Sequence, residues 1–162
     1  MVRDSLTNLL NHTAFRNVLT HEVSRSKRQN TVMSLAMLDI DHFKRVNDTY
    51  GHAAGDSAIK VLSRLLKQRL RNSDIVGRYG GDEFVALLLG CRADQALKIM
   101  DEIRVHFSGV EFYPNEAGSL NLTFSCGIST FPEFQSAESL SDAADQALYN
   151  AKAGQRNRVV VA

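Results

Sequence analysis

Two acidic clusters carry the strongest chemistry in this chain of 162 residues. Asp39 and Asp41 stand at the end of a nearly unbroken apolar run, TVMSLAMLDI over residues 31–40, and Asp82-Glu83 directly follow a Gly80-Gly81 pair. A carboxylate that emerges where a buried strand ends needs a partner, because burying it unpaired is costly. If the Gly80-Gly81 turn lies beside the apolar run, Asp39, Asp82 and Glu83 converge. Several carboxylate oxygens on a rigid frame suit a hard divalent cation of the Mg²⁺ type, completed by substrate phosphates. The competing reading is that Asp39 caps a following helix and Asp82-Glu83 form a solvated turn, since short acidic motifs have many chance matches. Where the glycine turn sits relative to residues 31–40 decides between the two.

The flanking sequence predicts the elements that must place these acids. Asn11 or Thr13 can cap a helix reaching about Arg28, with Phe15, Val18, Leu19 and Val23 at helical spacing. Residues 31–40 read as a central strand buried on both faces. A polar turn, His42 to Gly51, precedes a helix over Ala53–Leu70 with Ile59, Leu62, Leu65, Leu66 and Leu70 on one stripe. Asp74–Tyr79 and Glu83–Leu89 read as strands joined at Gly80-Gly81, a hairpin signal because tight primed turns need positive φ. Ala93–Phe107 is an amphipathic helix, Pro114–Gly118 a loop, Leu120–Phe131 a strand stopped by Pro132. Ser139–Ala153 is a helix capped by Ser139 or Ser141 and ended by Gly154, and Arg158–Val161 closes as a short strand. The order α-β-α-β-β-α-β-α-β predicts an α/β (α+β) fold. The expected architecture is a mixed central sheet with flanking helices, of the ferredoxin-like or polymerase-palm type.

Composition narrows the classes. With 44% hydrophobic and 23% charged residues, the chain reads as one folded domain over residues 1–162. A formal net charge of +1 supplies no global basic field, so no nucleic-acid partner is expected and any anion site must be local. Cys91 and Cys126 lie in apolar, strand-like contexts and read as reduced buried thiols of a cytoplasmic protein. No apolar run of ~18 residues and no signal peptide is visible, so no membrane contact is expected from this segment. The expected setting is a domain excised from a larger sensor protein, which can itself be membrane-anchored.

At Arg78-Tyr79-Gly80-Gly81-Asp82-Glu83-Phe84 the sequence resembles the GGDEF family of diguanylate cyclases. The match extends in order over the whole chain. Asp4 to Asn11 is similar to the family's DxLTxLxN opening, Asp39 to Asp48 to its DIDxFKxxND segment, and Tyr50 to Asp56 to YGHxxGD. Ala147 to Asn157 is similar to ALYxAKxxGRN. The departures are His12-Thr13, where the family often has Arg, and Gln155 just before Arg156.

The resemblance implies an enzyme that condenses two GTP into cyclic di-GMP plus two pyrophosphates with Mg²⁺ (or Mn²⁺). Asp39, the backbone carbonyl of Ile40, Asp82 and Glu83 are the implied metal ligands. Asp82 or Glu83 is the implied base, and Asp82 is favoured. Backbone N–H groups around His42 to Lys44, with Lys44, Lys152 and Arg156, would face the triphosphate. Asn47 and Asp56 would read guanine, whose adjacent N1–H and N2–H₂ donors suit one carboxylate. Asp56 read without the family would instead cap the 53–70 helix. Phe43, His52 and Arg78 fall in the same substrate-binding segments, and Gly51 and Gly55 allow close backbone approach. Arg71 and Asp74 match the family's RxxD product-inhibition motif, and Arg25 is a candidate for a second inhibitory contact. Since one site holds one GTP, catalysis implies a homodimer. Three other readings compete: a non-catalytic receptor for cyclic di-GMP or GTP, a cyclase of altered base choice, and a scaffold. Intact Asp82-Glu83 weighs against the first, and Asp56 against the second.

Overall fold

The computed structural model describes residues 2–116 and 118–162. In chain order the elements are α1 (His12–Gln29), β1 (Met33–Ile40), α2 (Phe43–Tyr50), α3 (His52–Arg69), β2 (Ile75–Gly80) and β3 (Glu83–Leu89). They continue with α4 (Ala93–Ser108), β4 (Phe112–Asn115), β5 (Gly118–Leu120), β6 (Phe124–Phe131), α5 (Ala137–Ala153) and β7 (Val159–Val161). Five strands form a mixed sheet in the order β2-β3-β1-β6-β7. The β1 strand runs antiparallel to β3 and β6, while β6 and β7 are parallel.

Side chains alternate across a strand, so β1 feeds two cores. Met33 and Leu35 join Phe15, Leu19, Leu140 and Ala144 from α1 and α5. Ala36, Leu38 and Ile40 join Ile59, Leu62, Met100 and Phe107 from α3 and α4. The run 31–40 is therefore apolar throughout because helices cover both of its faces. The same alternation puts Asp39, in phase with Met33 and Leu35, on the α1/α5 side.

The structure moves several predicted boundaries. The 42–51 turn contains a helix of its own, α2, which shares Gly51 with α3 as a common cap. Asp56 lies inside α3, so it does not cap that helix. The first helix is capped by Asn11, whose side chain accepts from the N–H of Ala14. The last helix starts earlier than predicted. Ser136 is its cap, and Ser139 is the third helical residue, which completes a reciprocal capping box.

The predicted strand 120–131 is two strands. Asn121 donates to the carbonyls of Ser108 and Val110 at 3.2 and 3.0 Å, which draws the chain off the main sheet. Leu120 then pairs with Phe112 in a separate β4–β5 ribbon. The predicted 114–118 loop is thus split between β4 and β5, with Ala117 outside the described residues. Pro114 is tolerated there because a two-stranded ribbon is all edge. Both cysteines are free and buried. Among the described residues, no helix is long and apolar enough to cross a membrane.

Candidate active site

The hairpin that carries Asp82 and Glu83 is the immediate neighbour of β1. Asp39 is paired across the strands with Glu83, and the N–H of Ile40 donates to the carbonyl of Asp82 at 3.4 Å. The two acidic clusters, more than forty positions apart in the chain, therefore meet at one sheet end. Of the alternative reading, the helix cap does not hold, since His42 and not Asp39 occupies the cap position of α2, while Gly81 and Glu83 of the turn are exposed and Asp82 is half-buried. The turn residues are Gly81 and Asp82, not Gly80 and Gly81, since β2 runs through Gly80 and pairs it with Glu83. Gly81 has φ 40°, a conformation side-chain-bearing residues adopt at a cost. This turn puts Asp82 at its tip.

Like charges directly opposite on a sheet repel, and the titration behaviour follows. Burial first, then the Asp39 charge, pushes the Asp82 carboxyl above its ordinary value. Glu83 is raised by the same two causes in the same order, with Asp82 adding to them. Lys152, from the last turn of α5, donates to Asp39 Oδ2 and offsets part of this crowding. Asp39 itself is 6% exposed. Its other oxygen, Oδ1, is buried and has no hydrogen-bond partner.

That orphaned oxygen is the test of whether a divalent cation suits the site. A buried carboxylate oxygen left unpaired costs free energy, and a hard cation would satisfy it. Among the described residues no three His, Cys, Asp or Glu side chains form a ready-made metal cage. The arrangement fits a cation held by a few carboxylates and completed by substrate oxygens, the usual habit of Mg²⁺.

Asp41 behaves differently. It is 5% exposed. It accepts from Thr123 Oγ1 at 2.6 Å, Ser125 Oγ at 2.7 Å and the N–H of Asn157 at 3.0 Å. With those donors, it ties β1 to β6 and to the loop after α5. The sequence marks Asp41 as an acid at a strand end but gives no sign of this role, because its partners lie far along the chain.

The short α2 helix starts beside this tie. His42 occupies its cap position in the left-handed region, φ 57°, and makes no side-chain capping bond, so the first backbone N–H groups of α2 are free for an anion. Lys44 is exposed and Phe43 half-buried. Asn47, on the same helix, has a buried Oδ1 with no partner. A Cβ placed on Gly55 would lie 2.0 Å from that oxygen and 3.0 Å from Phe43 Cζ. Glycine at 55 is thus what lets α3 close onto Asn47. Asp56 follows on α3 and is exposed, as is His52 at the start of that helix. Arg156 is exposed in the loop after α5.

Arg78 is committed within the protein. Its guanidinium bonds Asp4 at 3.0 and 3.1 Å and the carbonyl of Gly81 at 3.1 and 2.8 Å. It braces the acidic turn against the start of the chain. Asp4 also accepts from the N–H and hydroxyl of Thr7. Burial opposes its ionisation, but the Thr7 and Arg78 bonds outweigh that and hold its pKa below the ordinary value.

The Arg71–Asp74 pair lies elsewhere. Asp74 accepts from the backbone N–H groups of Arg71 and Leu89. It is paired with the Arg71 guanidinium at 3.0 Å, with side chains 2% and 57% exposed respectively. Asp74 anchors and Arg71 is presented. A cavity of about 400 Å³ opens beside them, lined also by Arg3, Lys67 and Asn72. Arg25 sits exposed on α1, 3.5 Å from Glu22 and bonded to Gln29.

Architecture and site together define a palm-type domain with an acidic strand end. Residues 1–158 match the family described as "Diguanylate cyclase, GGDEF domain". The chain is 40% identical over 98% of its length to diguanylate cyclase DgcP of Pseudomonas aeruginosa, of which it spans 24%. It is 38% identical over 99% of its length to the probable diguanylate cyclase DgcC of Escherichia coli, of which it spans 43%. Among solved structures, the GGDEF domain of DgcB from Caulobacter crescentus, in complex with c-di-GMP, superposes with a TM-score of 0.94. Identity there is 34%, covering 99% of this chain and 92% of that one. The chain belongs to the GGDEF family of diguanylate cyclases. It spans less than half the length of these curated relatives.

Proposed function

We propose that this domain is a diguanylate cyclase that joins two GTP into cyclic di-GMP, releasing two pyrophosphates. The observation that carries the reading is the cross-strand meeting of Asp39 with the Asp82-Glu83 turn, with one buried oxygen of Asp39 unsatisfied. Asp39, the Ile40 carbonyl, Asp82 and Glu83 would hold Mg²⁺ (or Mn²⁺). Such an ion lowers the pKa of an attacking hydroxyl and neutralises charge on the transferring phosphoryl group.

The remaining work falls to the chain's own groups. The free N–H groups at the start of α2, with Lys44, Lys152 and Arg156, bind the triphosphate. Asn47 and Asp56 read guanine. Phe43 and His52 shape that pocket, and Arg78 fixes the turn that presents Asp82. The 3′-hydroxyl of one GTP attacks the α-phosphorus of the other and expels pyrophosphate, and the hydroxyl proton passes to a carboxylate oxygen of Asp82, with Glu83 the alternative acceptor. Two such steps close the ring. Each site holds one nucleotide, so two copies of the domain face each other. Arg71 is the exposed half of a product-inhibition site that Asp74 anchors, with Arg25 as a candidate second contact.

The direct test supplies an equimolar mixture of GTP and ATP and identifies the products by mass spectrometry. Cyclic di-GMP as the dominant product supports the reading. A mixed dinucleotide would overturn the guanine assignment, and tight cyclic di-GMP binding without turnover would make the domain a receptor.

A further inference from the structure

We propose that Arg104, on α4, is a positioning residue: it holds the Gln155–Asn157 loop in a left-handed conformation and so sets where that loop carries Arg156. The proposal rests on the reading of Lys152 and Arg156 as triphosphate cations.

Gln155, Arg156 and Asn157 have φ values of 82°, 60° and 45°. Left-handed backbone crowds the Cβ of any L-residue, and only Asn among these three is tolerant of it. Three in succession do not persist without external restraint. On the site side, Lys152 is bound to Asp39, and the N–H of Asn157 to Asp41 at 3.0 Å. Arg156 lies between those anchors, so the loop conformation decides where its guanidinium points.

The restraint on the other side comes from a different layer of the fold. Arg104 Nη1 donates to Asn157 Oδ1 at 2.7 Å and contacts the Asn157 carbonyl at 3.4 Å. The guanidinium is itself aimed by Asp101, which accepts from Nε at 2.7 Å. The Arg104 side chain is 19% exposed. A planar fork gripping a carboxylate with one nitrogen and Asn157 with another holds a direction as well as a distance. Lysine, a single ammonium on a flexible stem, cannot grip both. Among the described residues the hydrogen-bond and ion-pair partners of Arg104 are Asp101 and Asn157 and not Asp39, Asp82 or Glu83, so its effect on substrate passes through the loop.

The test compares Arg104→Ala, Arg104→Lys and the double variant Arg104→Ala/Gln155→Gly in the full chain. Affinity for a non-hydrolysable GTP analogue, the thermal midpoint, and NMR hydrogen exchange at the Arg156 and Asn157 amides are measured. Arg104→Ala is expected to weaken the analogue about tenfold and to speed exchange at both amides by at least tenfold. Arg104→Lys should behave like the Ala variant. The double variant should recover affinity to within threefold of the parent, because glycine adopts the φ of residue 155 freely. A lowered midpoint with unchanged affinity and exchange would reduce Arg104 to a stabilising contact and overturn the proposal; so would failure of Gln155→Gly to restore binding. These readouts need no turnover. Wild-type protein that binds the analogue but makes no product therefore counts against the cyclase reading alone.

Discussion

Replacing Asp82 by Asn separates the cost of the acidic cluster from its use. Unfolded, Asp82 titrates near 3.8, and in the fold its pKa lies higher. Above about pH 4 the folded state then holds that proton more tightly than the unfolded chain, so its contribution to stability falls as pH rises through the folded-state value. Asp82→Asn removes this loss. The variant is expected to melt higher than the parent at neutral pH without divalent cation, with a flatter pH profile, while cyclase activity drops at least ~100-fold. Calorimetry across pH 4–8, paired with product assays, checks both halves. Asp41→Ala should do the reverse. It deletes an acceptor shared by Thr123, Ser125 and Asn157, and urea unfolding should show a loss of about 2–4 kcal/mol. At this scale the sequence marks Asp39 and Asp41 alike, as acids at the end of β1. Only the fold shows one with an unpaired oxygen and the other saturated, because the donors to Asp41 come from β6 and the loop after α5.

Helices and strands explain why the site assembles at all. Alternation along β1 and β3 sends Asp39 and Glu83 to the same side of the sheet, the side where α5 brings Lys152. The parts were legible: the apolar run predicts a buried strand, and the glycine pair with the following acids a hairpin, but their adjacency stayed conditional until the β1–β3 pairing placed them side by side. What was not legible depended on tertiary override. The β4–β5 ribbon departs from the main sheet because Asn121 bonds carbonyls at the end of α4, and no local pattern signals that bond. The α2 helix is eight residues long, too short for periodicity to reveal. Arg104 likewise meets Asn157 across 53 positions of chain. The contact between α2 and α3 gives the element-scale prediction. Gly55→Ala puts a methyl group where Asn47 Oδ1 and Phe43 Cζ now lie. Both are side-chain ends that can swing away, and alanine favours the helix by about 1 kcal/mol. The thermal midpoint should therefore stay within a few degrees, while affinity for a GTP analogue falls about tenfold or more. Isothermal titration and a melting curve on the same sample check this pair of outcomes.

For the whole molecule, the proposed reaction calls for two copies of the domain. In that proposal the acidic turn, the α2 start and the Asn47–Gly55 contact make up one nucleotide site, and the product needs two. The relatives that this chain matches are about two to four times its length. On that reading the isolated domain meets its second copy by diffusion. Initial rates of cyclic di-GMP formation from GTP and Mg²⁺, measured while protein concentration is raised from below micromolar to hundreds of micromolar, test this directly. Product is expected at a rate per mole of protein that climbs with concentration and vanishes in Asp82→Ala. Folded protein that binds GTP yet forms no cyclic di-GMP at any concentration, or a rate per mole that stays flat throughout, would contradict it.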